Sequence, residues 1–527
     1  MKLRRRAFIK RVGIGAAGLG LASSFPGCLT RRNSTYGSLP RSTPEEQGVS
    51  SSGILAFLNA AAKSPNEFHS FVMVRHGHVI AEGWWAPYRA GANHMLYSLS
   101  KSFTSTAVGF AVAEGRLTVD DQVVSFFPDK LPSSVSDHLA ALQVKHLLTM
   151  SVGHAKDSTP RITGQEDWGK AFLALPIENP PGSVFLYNSG ASYMLSAIVQ
   201  KVSGQKTIDY LRPRLFEPLE IRGMTWETCP RGINTGGWGL SVKTEALASF
   251  GQFYLQKGVW QGRQLLPAAW AQEATTFKIQ QPAGPGEDLA ELKKTSPWHQ
   301  GYCYQFWRCS HNAFRGDGAF GQFSIVMPDQ DAVVVITSES PNMKADMDMV
   351  WDHLLPAISG ATLPAAPTIE GELRRRFASL ALPLPNSQAA SPTADRISGK
   401  TFQIEQNDAG VRNVSFQFRQ NGCTFHLTDG KGQYAVQCGL GQWVDGECNM
   451  PGTPPKITVG RLRPCKIAAS ASWKDENTLE MIWRYYETPH HDTVTCHFQG
   501  NRLIVEFINS IPKPQHKETR PALRGQA

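Results

Sequence analysis

The chain has 527 residues, of which 41% are hydrophobic and 18% charged, a composition typical of globular proteins and a length that predicts two domains rather than a single core. The formal net charge is +9, but six positive charges lie before residue 12 and no acidic residue precedes residue 45, which leaves +3 for the rest of the chain. The basic balance is therefore a property of the N-terminus and does not predict a nucleic-acid partner.

The first 28 residues have the pattern of an export signal. A basic stretch is followed by a Gly/Ala-rich, mildly apolar stretch of about 15 residues, which is too short to span a bilayer permanently. Five residues resemble the twin-arginine export pattern: Arg5, Arg6, Phe8, Ile9 and Lys10. We therefore expect an exported protein, periplasmic or at the cell surface; the alternative is a basic amphipathic start.

Cys28 follows Phe25, Pro26 and Gly27. This sequence resembles an imperfect lipobox, so attachment to the membrane through a lipid on Cys28 is a further hypothesis. The nine cysteines permit disulfides in an exported protein. No Cys/His group has the spacing of a zinc site, and we predict neither a metal ion nor a cofactor.

After a polar linker over residues 29–42, residues 43–360 predict an α+β domain with an antiparallel sheet flanked by helices. A helix start and a strand hairpin come first, and several helices follow. One of these helices, ending at Gly115, is apolar nearly all round and should be buried. Strands return in three stretches: residues 302–309, 321–328 and 331–340.

The last third of the chain changes character. Residues 361–395 are rich in Pro, Ala and Ser around one charged helix and predict an interdomain linker. Residues 396–512 form short alternating stretches with Gly, Asn and Asp turns, typical of a small all-β sandwich or barrel. We predict a disordered tail over residues 513–527. This accessory domain carries no motif tied to chemistry; gating of a cleft, binding of a polymer and dimerisation all stay open.

Residues 98–101 contain the pattern S-x-x-K. Alone it is weak evidence, because it recurs at Ser203–Lys206 and Ser510–Lys513. Those copies lie after a helix and in the terminal tail, where both side chains should be solvated. Lys101, in contrast, opens the apolar helix, and a lysine three residues after a serine shares its helix face.

This setting favours a nucleophile beside its base. The start of a helix supplies unpaired N–H groups and positive potential, which stabilise an alkoxide or an oxyanion. To accept a proton near neutral pH, the pKa of Lys101 must fall from about 10.4 to about 7. That change corresponds to about 4 kcal/mol, which only burial and positive potential can provide. The alternative is a pair of solvated residues at a helix start.

Five segments carry a family resemblance: residues 97–121, 144–154, 181–204, 236–267 and 314–338. They resemble the serine β-lactamase and penicillin-binding-protein superfamily. The nearer match is its class C-like branch, which also contains esterases, D-amino-acid peptidases and 6-aminohexanoate-dimer hydrolases. Three of these segments carry the family's motifs: S-x-x-K at Ser98–Lys101, the second motif within residues 181–204 and the third within residues 314–338. Three motifs in the right order are jointly specific. The resemblance implies a β-lactamase-like sheet flanked by helices, with an all-helical subregion.

The resemblance also implies roles for individual residues. Ser98 is the nucleophile, and Lys101 is its proton acceptor or electrostatic partner. Tyr187 corresponds to the second-motif tyrosine, which passes the proton to the leaving group. The backbone N–H groups of Ser98 and Phe320 are expected to form an oxyanion hole.

Three predicted substrate-binding residues, Ser189, Arg315 and Asp317, mark departures from the family pattern. Ser189 stands where the second motif often has asparagine, and Asp317 stands where the third motif has lysine or histidine. An acid there should repel the carboxylate of a penicillin. Arg315 lies two residues earlier, on the same strand face, and either neutralises Asp317 or holds a substrate anion. Asp317 also fits a plain turn residue between glycines.

We therefore predict an exported serine hydrolase that cleaves small-molecule carboxylic esters or small amides through an acyl-enzyme on Ser98. The alternatives are a β-lactamase or D-amino-acid peptidase of the same fold, or a non-catalytic relative that binds cell-wall or other ligands. Covalent labelling by a fluorophosphonate or penicillin probe distinguishes a catalytic serine from a binding module.

Overall fold

The computed structural model describes residues 39–385, 388, 390–450, 464–511 and 520–527. The predicted export segment with Cys28, and most of the predicted linker over residues 29–42, lie outside these described residues. Within the described residues, no helix is long and apolar enough to cross a bilayer.

Residues 39–360, which we call the N-terminal region, are built around one antiparallel sheet. The strands of this region are β1 (Glu67–Arg75), β2 (His78–Trp84), β3 (His94–Met95), β4 (Thr225–Trp226), β5 (Leu240–Val242), β6 (Val259–Trp260), β7 (Arg263–Gln264), β8 (Trp307–Arg308), β9 (Phe314–Gly318), β10 (Gln322–Met327) and β11 (Ala332–Glu339). The sheet has the order β2-β1-β11-β10-β9-β8. Strands β3, β5 and β4 form a smaller sheet, and β6 pairs with β7.

Strand β11 lies near the centre of the sheet because its sequence suits burial on both faces. It reads Ala-Val-Val-Val-Ile-Thr-Ser-Glu, is rich in β-branched residues, and is buried along its whole length. Its side chains alternate between two cores: Val333 and Val335 belong to one, Val334 and Ile336 to the other. The sheet is thus covered by apolar side chains on both faces.

Helices pack on both faces of this sheet. The α-helices up to residue 360 are α1 (Ser51–Lys63), α2 (Ser100–Ala113), α3 (Asp137–Ala141), α4 (Val144–Leu148), α5 (Thr159–Ile162), α6 (Trp168–Leu173), α7 (Ser189–Ser203), α8 (Thr207–Leu211), α9 (Thr244–Leu255), α10 (Ala268–Thr275), α11 (Leu289–Thr295) and α12 (Met343–Met349). Helix α9 packs on β1, β10 and β11, while α1 packs against α12. Helix α2 is buried from Ser100 to Ala111 and ends just before Gly115, as predicted.

The strand predicted over residues 302–309 is wrong for most of its length, because only Trp307–Arg308 form a strand there. Gln305 adopts a left-handed backbone conformation with φ +63° and turns the chain. Its side-chain amide donates to the carbonyls of Leu147 and Leu148 and accepts from Ser192 Oγ. These contacts tie the turn to α4 and α7, and such distant partners are not visible in a local pattern.

The C-terminal part is an all-β barrel, which confirms the predicted class of accessory domain. Helices α13 (Pro367–Ala378) and α14 (Pro392–Ile397) precede it. The barrel strands are β12 (Thr401–Ile404), β13 (Val411–Arg419), β14 (Gly422–Asp429), β15 (Gln433–Leu440), β16 (Val444–Cys448), β17 (Cys465–Asp475), β18 (Thr478–Arg484), β19 (His491–Gln499), β20 (Arg502–Asn509) and β21 (Leu523–Gln526). Neighbours pair in the order β15-β14-β13-β12-β21-β20-β19-β18-β17-β16, and an additional β15–β17 pairing closes the barrel.

The predicted disordered tail over residues 513–527 is wrong at its end. Residues 512–519 lie outside the described part of the chain, but Leu523–Gln526 form β21 between β12 and β20. Leu523 is buried in the barrel core. The pairing satisfies the edges of two strands that would otherwise be open, and a four-residue strand is too short to give a clear sequence signal.

The segment predicted as an interdomain linker is packed against the N-terminal region. Leu373 of α13 is buried in the core on one face of the sheet, and Phe377 stacks on Phe71 of β1. On the barrel, the buried guanidinium of Arg484 forms an ion pair with the partly exposed Glu67 of β1 at 2.7 Å. The described residues belong to one compact unit. The exact domain boundaries stay a prediction.

Candidate active site

Ser98 lies in the 3₁₀ turn Tyr97–Leu99, which leads directly into α2. Ser100 holds this turn in place. Its hydroxyl donates to the Tyr97 carbonyl at 2.6 Å and accepts the N–H of Leu240 at 3.1 Å. Ser98 therefore lies at the N-terminal end of the buried helix α2, and Ser100 links this turn to β5.

Lys101 lies one helical turn after Ser98, as its spacing predicted. Its Nζ is 3.0 Å from Ser98 Oγ, 2.9 Å from Ser189 Oγ and 2.7 Å from the carbonyl oxygen of Gly237. An ammonium group can donate to all three acceptors. A neutral amine donates to two of them, and its lone pair can then accept the hydroxyl proton of Ser98.

The environment of Lys101 favours this neutral form near pH 7. The residue is 2% exposed. Burial lowers the pKa of Lys101 to about 7, even though the negative charges of Asp157 and Asp317 oppose the shift. At neutral pH a substantial fraction of the amine therefore lacks its third proton.

Tyr187 lies on the other side of this pair. Lys101 Nζ is 4.7 Å from the centre of its ring, and the ring stacks on Trp307 with centroids 5.8 Å apart. Burial raises the pKa of Tyr187, while a hydrogen bond with Ser98 lowers it by a smaller amount. The group is therefore a neutral phenol whose ring lies beside the amine of Lys101.

Asn188, between the two predicted site residues of the second motif, has a structural role. Its Oδ1 caps α7 by accepting the N–H groups of Gly190 and Ala191, and it also accepts from Ser158 Oγ at 2.6 Å. Its Nδ2 lies 3.0 Å from His154 Nδ1. The cap fixes the first turn of α7 and thereby places Ser189 Oγ against Lys101.

Arg315 and Asp317 form a closed ion pair on β9. The Arg315 Nε and Nη2 lie 2.9 and 2.8 Å from Asp317 Oδ2, which also accepts from Trp298 Nε1 at 3.1 Å. The Arg315 side chain is 0% exposed, and its Nη1 donates to the Pro297 carbonyl. Of the two roles open for Arg315, the structure supports neutralising Asp317. The contact of Arg315 with a substrate anion stays a prediction.

Removing the negative charge of Asp317 from this ion pair should lower the stability of the fold. Asp317→Asn leaves the guanidinium of Arg315 buried beside a neutral partner, so we expect the free energy of unfolding to fall by about 3 kcal/mol. Urea denaturation at neutral pH measures the change. The matched control is Asp329→Asn, whose carboxylate accepts only an exposed hydrogen bond from Asn312 and should shift stability by less than about 0.5 kcal/mol. Equal midpoints for the two variants would contradict the inferred cost.

Phe320 lies in the turn between β9 and β10, close to the serine. Two neighbouring glycines permit this approach: a Cβ on Gly318 would lie 2.1 Å from the Leu96 carbonyl oxygen, and one on Gly321 would lie 2.1 Å from Ser338 Oγ. The Phe320 carbonyl accepts the N–H of Ser340 and the hydroxyl of Ser338. The turn that carries Phe320 therefore packs between the segment before Ser98 and the end of β11.

The sequence did not point to several neighbours of this site. The carbonyl of Gly237 is a backbone group, which no side-chain motif can reveal. Two tryptophans also lie in the site: Trp298 contacts Asp317, and Trp307 stacks on Tyr187. Their signal was the abundance of aromatic residues just before the third motif.

Comparison with known proteins places this geometry in a family. The family model described as Beta-lactamase matches residues 69–357. The 6-aminohexanoate-dimer hydrolase of Paenarthrobacter ureafaciens is 26% identical over 294 residues, which cover 52% of this chain and 73% of the relative. Penicillin-binding protein 4 of Amycolatopsis lactamdurans is 26% identical over 307 residues, covering 51% and 77%.

Among solved structures, a penicillin-binding-protein homologue from Caulobacter crescentus superposes with a TM-score of 0.47 at 17% identity, covering 60% of this chain and 100% of that one. The family model spans more than half of the 527 residues. The predicted resemblance and the predicted α+β class are confirmed. The chain thus belongs to the serine β-lactamase and penicillin-binding-protein family and has the β-lactamase fold.

Proposed function

We propose that this protein is an exported serine hydrolase that cleaves carboxylic esters or small amides through an acyl-enzyme on Ser98. The observation that carries the proposal is the contact of Lys101 Nζ with Ser98 Oγ at 3.0 Å, made by a lysine whose burial lowers its pKa to about 7. A hydroxyl beside a neutral, buried amine is poised for nucleophilic attack. The export part of the proposal rests on the residues before Cys28 alone.

In the acylation step, the neutral amine of Lys101 takes the proton of Ser98 as Oγ attacks the substrate carbonyl carbon. The carbonyl oxygen becomes an oxyanion, which the backbone N–H groups of Ser98 and Phe320 stabilise. Tyr187 donates its phenolic proton to the leaving alcohol or amine, and the Lys101 ammonium returns a proton to the tyrosine. Water then attacks the ester on Ser98, releases the acid and restores the serine hydroxyl.

The ion pair of Arg315 and Asp317 supports esters and small amides as substrates, including linear amino-acid amides. The resemblance puts a lysine or histidine at position 317, where its charge would attract a substrate carboxylate. Here the position carries an acid whose charge is already neutralised by a buried arginine. A β-lactam carboxylate thus gains no cation at this position. The similarity to a hydrolase named for the 6-aminohexanoate dimer agrees with a small linear amide.

A hydrolysis screen tests the proposal directly. The purified protein is assayed with p-nitrophenyl acetate, p-nitroanilides of small amino acids, D-amino-acid peptides and nitrocefin. We expect turnover of an ester or a small amide and slow or no turnover of nitrocefin. Fast nitrocefin hydrolysis would support the β-lactamase alternative. Absence of turnover together with absence of fluorophosphonate labelling would support a binding protein instead.

The pKa of Lys101 predicts the pH dependence of the reaction. The neutral amine is the active form, so protonation below pH 7 removes the base. We expect kcat/KM for a neutral ester to rise about tenfold per pH unit up to about pH 7 and then to level off, since kcat/KM reports the ionisation of the free enzyme. Rates measured between pH 5 and 9 check this. A profile without slope across that range would show that Lys101 is not the titrating base.

A further inference from the structure

Two residues next to the catalytic serine have an uncommon backbone conformation. Tyr97 precedes Ser98 and has φ +48°, and Phe320 in the facing turn has φ +66°. Non-glycine residues in the left-handed region are held there by their surroundings. The N–H of Ser98 belongs to the peptide unit that joins it to Tyr97. The conformation of Tyr97 therefore helps to set the direction of one proposed oxyanion donor.

The side chains of Tyr97 and Phe320 both contact one imidazole of the barrel, that of His490. Tyr97 Oη lies 2.5 Å from His490 Nε2. The Phe320 ring meets the same imidazole edge to face, with centroids 4.7 Å apart, and meets the Tyr97 ring at 5.2 Å. Ile511, also from the barrel, completes the apolar cluster around Tyr97 and Phe320.

The imidazole is itself held by a carboxylate at the end of β11. His490 Nδ1 lies 2.6 Å from Glu339 Oε1, and His491 Nδ1 lies 3.0 Å from Oε2. Burial alone would raise the pKa of Glu339, but the hydrogen bonds from the two histidines outweigh it and lower the pKa to about 2. Glu339 is therefore an anion that accepts a hydrogen bond from Nδ1–H of His490.

This anchoring defines the direction of the bond to Tyr97. The tautomer of His490 that donates from Nδ1 to Glu339 has its lone pair on Nε2, the atom that faces Tyr97 Oη. Burial raises the pKa of Tyr97, so its phenol keeps the proton and donates a hydrogen bond to the lone pair on Nε2. The chain of hydrogen bonds thus runs from Tyr97 through His490 to Glu339.

The barrel segment that precedes His490 is hydrogen-bonded to the N-terminal region at two successive residues. The N–H of Met95 donates to the carbonyl of Glu487 at 2.9 Å, and Tyr88 Oη donates to the carbonyl of Thr488 at 3.1 Å. The imidazole therefore arrives in a defined position beside the serine turn.

We propose that His490 is a positioning residue for the oxyanion hole: through Tyr97 and Phe320 it holds the two backbone segments that carry the N–H donors. This inference rests on the proposed hydrolase function and gives the barrel a role in it. The barrel then completes the active site rather than acting as a separate binding module.

The test compares two replacements of His490 that each keep one of its contacts. His490→Asn retains a short amide that can donate to Glu339 but cannot reach Tyr97. His490→Gln is longer and can accept from Tyr97 Oη. Each variant is assayed with p-nitrophenyl acetate at pH 8, where the proposed base is neutral, and its melting temperature is measured alongside.

We expect His490→Asn to lower kcat about 30-fold with KM changed less than twofold, because an oxyanion donor acts on the transition state. His490→Gln should recover at least a third of the wild-type kcat. Tyr97→Phe, which removes one oxygen, should lower kcat about tenfold, and adding it to His490→Asn should cost little more. His491→Asn is the matched control, since His491 binds the same carboxylate without touching Tyr97; it should keep kcat within twofold.

Two results would overturn the inference while leaving the proposed function in place. One is wild-type kcat in both His490→Asn and Tyr97→Phe. The other is activity that depends on the contact to Glu339 and not on the contact to Tyr97. In that case kcat would fall in His490→Gln and His491→Asn and stay at the wild-type value in His490→Asn. If His490→Asn does not fold, Tyr97→Phe alone decides by the same kcat criterion. A wild-type protein without turnover of any ester or amide would overturn the proposed function, and the inference with it.

Discussion

Replacing Ser98 with alanine is expected to abolish hydrolysis of p-nitrophenyl acetate, with kcat/KM falling at least about 10⁴-fold. In the proposed mechanism the hydroxyl is the atom that forms the acyl-enzyme. No neighbouring serine is placed to replace it, because Ser189 Oγ already accepts from Lys101 and Ser100 Oγ is engaged with Tyr97 and Leu240. The variant should also lose covalent labelling by a fluorophosphonate probe, measured by intact mass. Melting temperatures should stay close to the wild-type value.

Ser203→Ala is the matched control for this experiment. Ser203 belongs to the second S-x-x-K copy, Ser203–Lys206, at the C-terminal end of α7. Its hydroxyl donates to the Val199 carbonyl of its own helix. We expect full activity and full labelling in this variant. Retained activity in Ser98→Ala, or a label found on a peptide without Ser98, would refute the assignment of the nucleophile.

Replacing Lys101 with methionine is expected to lower kcat/KM about 10³-fold, since a positioned general base contributes about 10²–10⁴. Methionine keeps an unbranched apolar stem in the buried site but has no amine to take the proton of Ser98. The rise of kcat/KM toward pH 7 should disappear together with the base. Rates with p-nitrophenyl acetate between pH 5 and 9 measure both effects.

Lys101→Arg separates the two roles that the sequence left open for this residue. Arginine keeps a permanent positive charge but cannot act as a base near neutral pH. If Lys101 takes the proton, the arginine variant should be as inactive as the methionine variant. Wild-type activity in Lys101→Arg would show that the residue acts as an electrostatic partner only. Lys206→Met, in the second S-x-x-K copy, is the control that should behave as wild type.

Most of the proposed catalytic group was predictable from the sequence because its geometry is local. Ser98 and Lys101 are three residues apart at the start of one helix, and helix geometry alone brings such residues together. The burial that lowers the pKa of Lys101 also follows from sequence, because α2 is apolar nearly all round. Tyr187 could be recognised only through the order of family motifs, since it lies 86 positions further along the chain.

The sequence by itself thus determined the family, the α+β class and the β character of the C-terminal part, and it brought Ser98 and Lys101 together on one helix turn. Only the tertiary structure decided that Arg315 forms an ion pair with Asp317, that the Gly237 carbonyl accepts a hydrogen bond from Lys101, and that β21 lies between β12 and β20 in the barrel sheet. The bond from Tyr97 to His490 joins residues 393 positions apart. The physical reason is the same in each case. Periodicity and short spacings encode contacts within one element, whereas contacts between distant elements depend on the path of the whole chain.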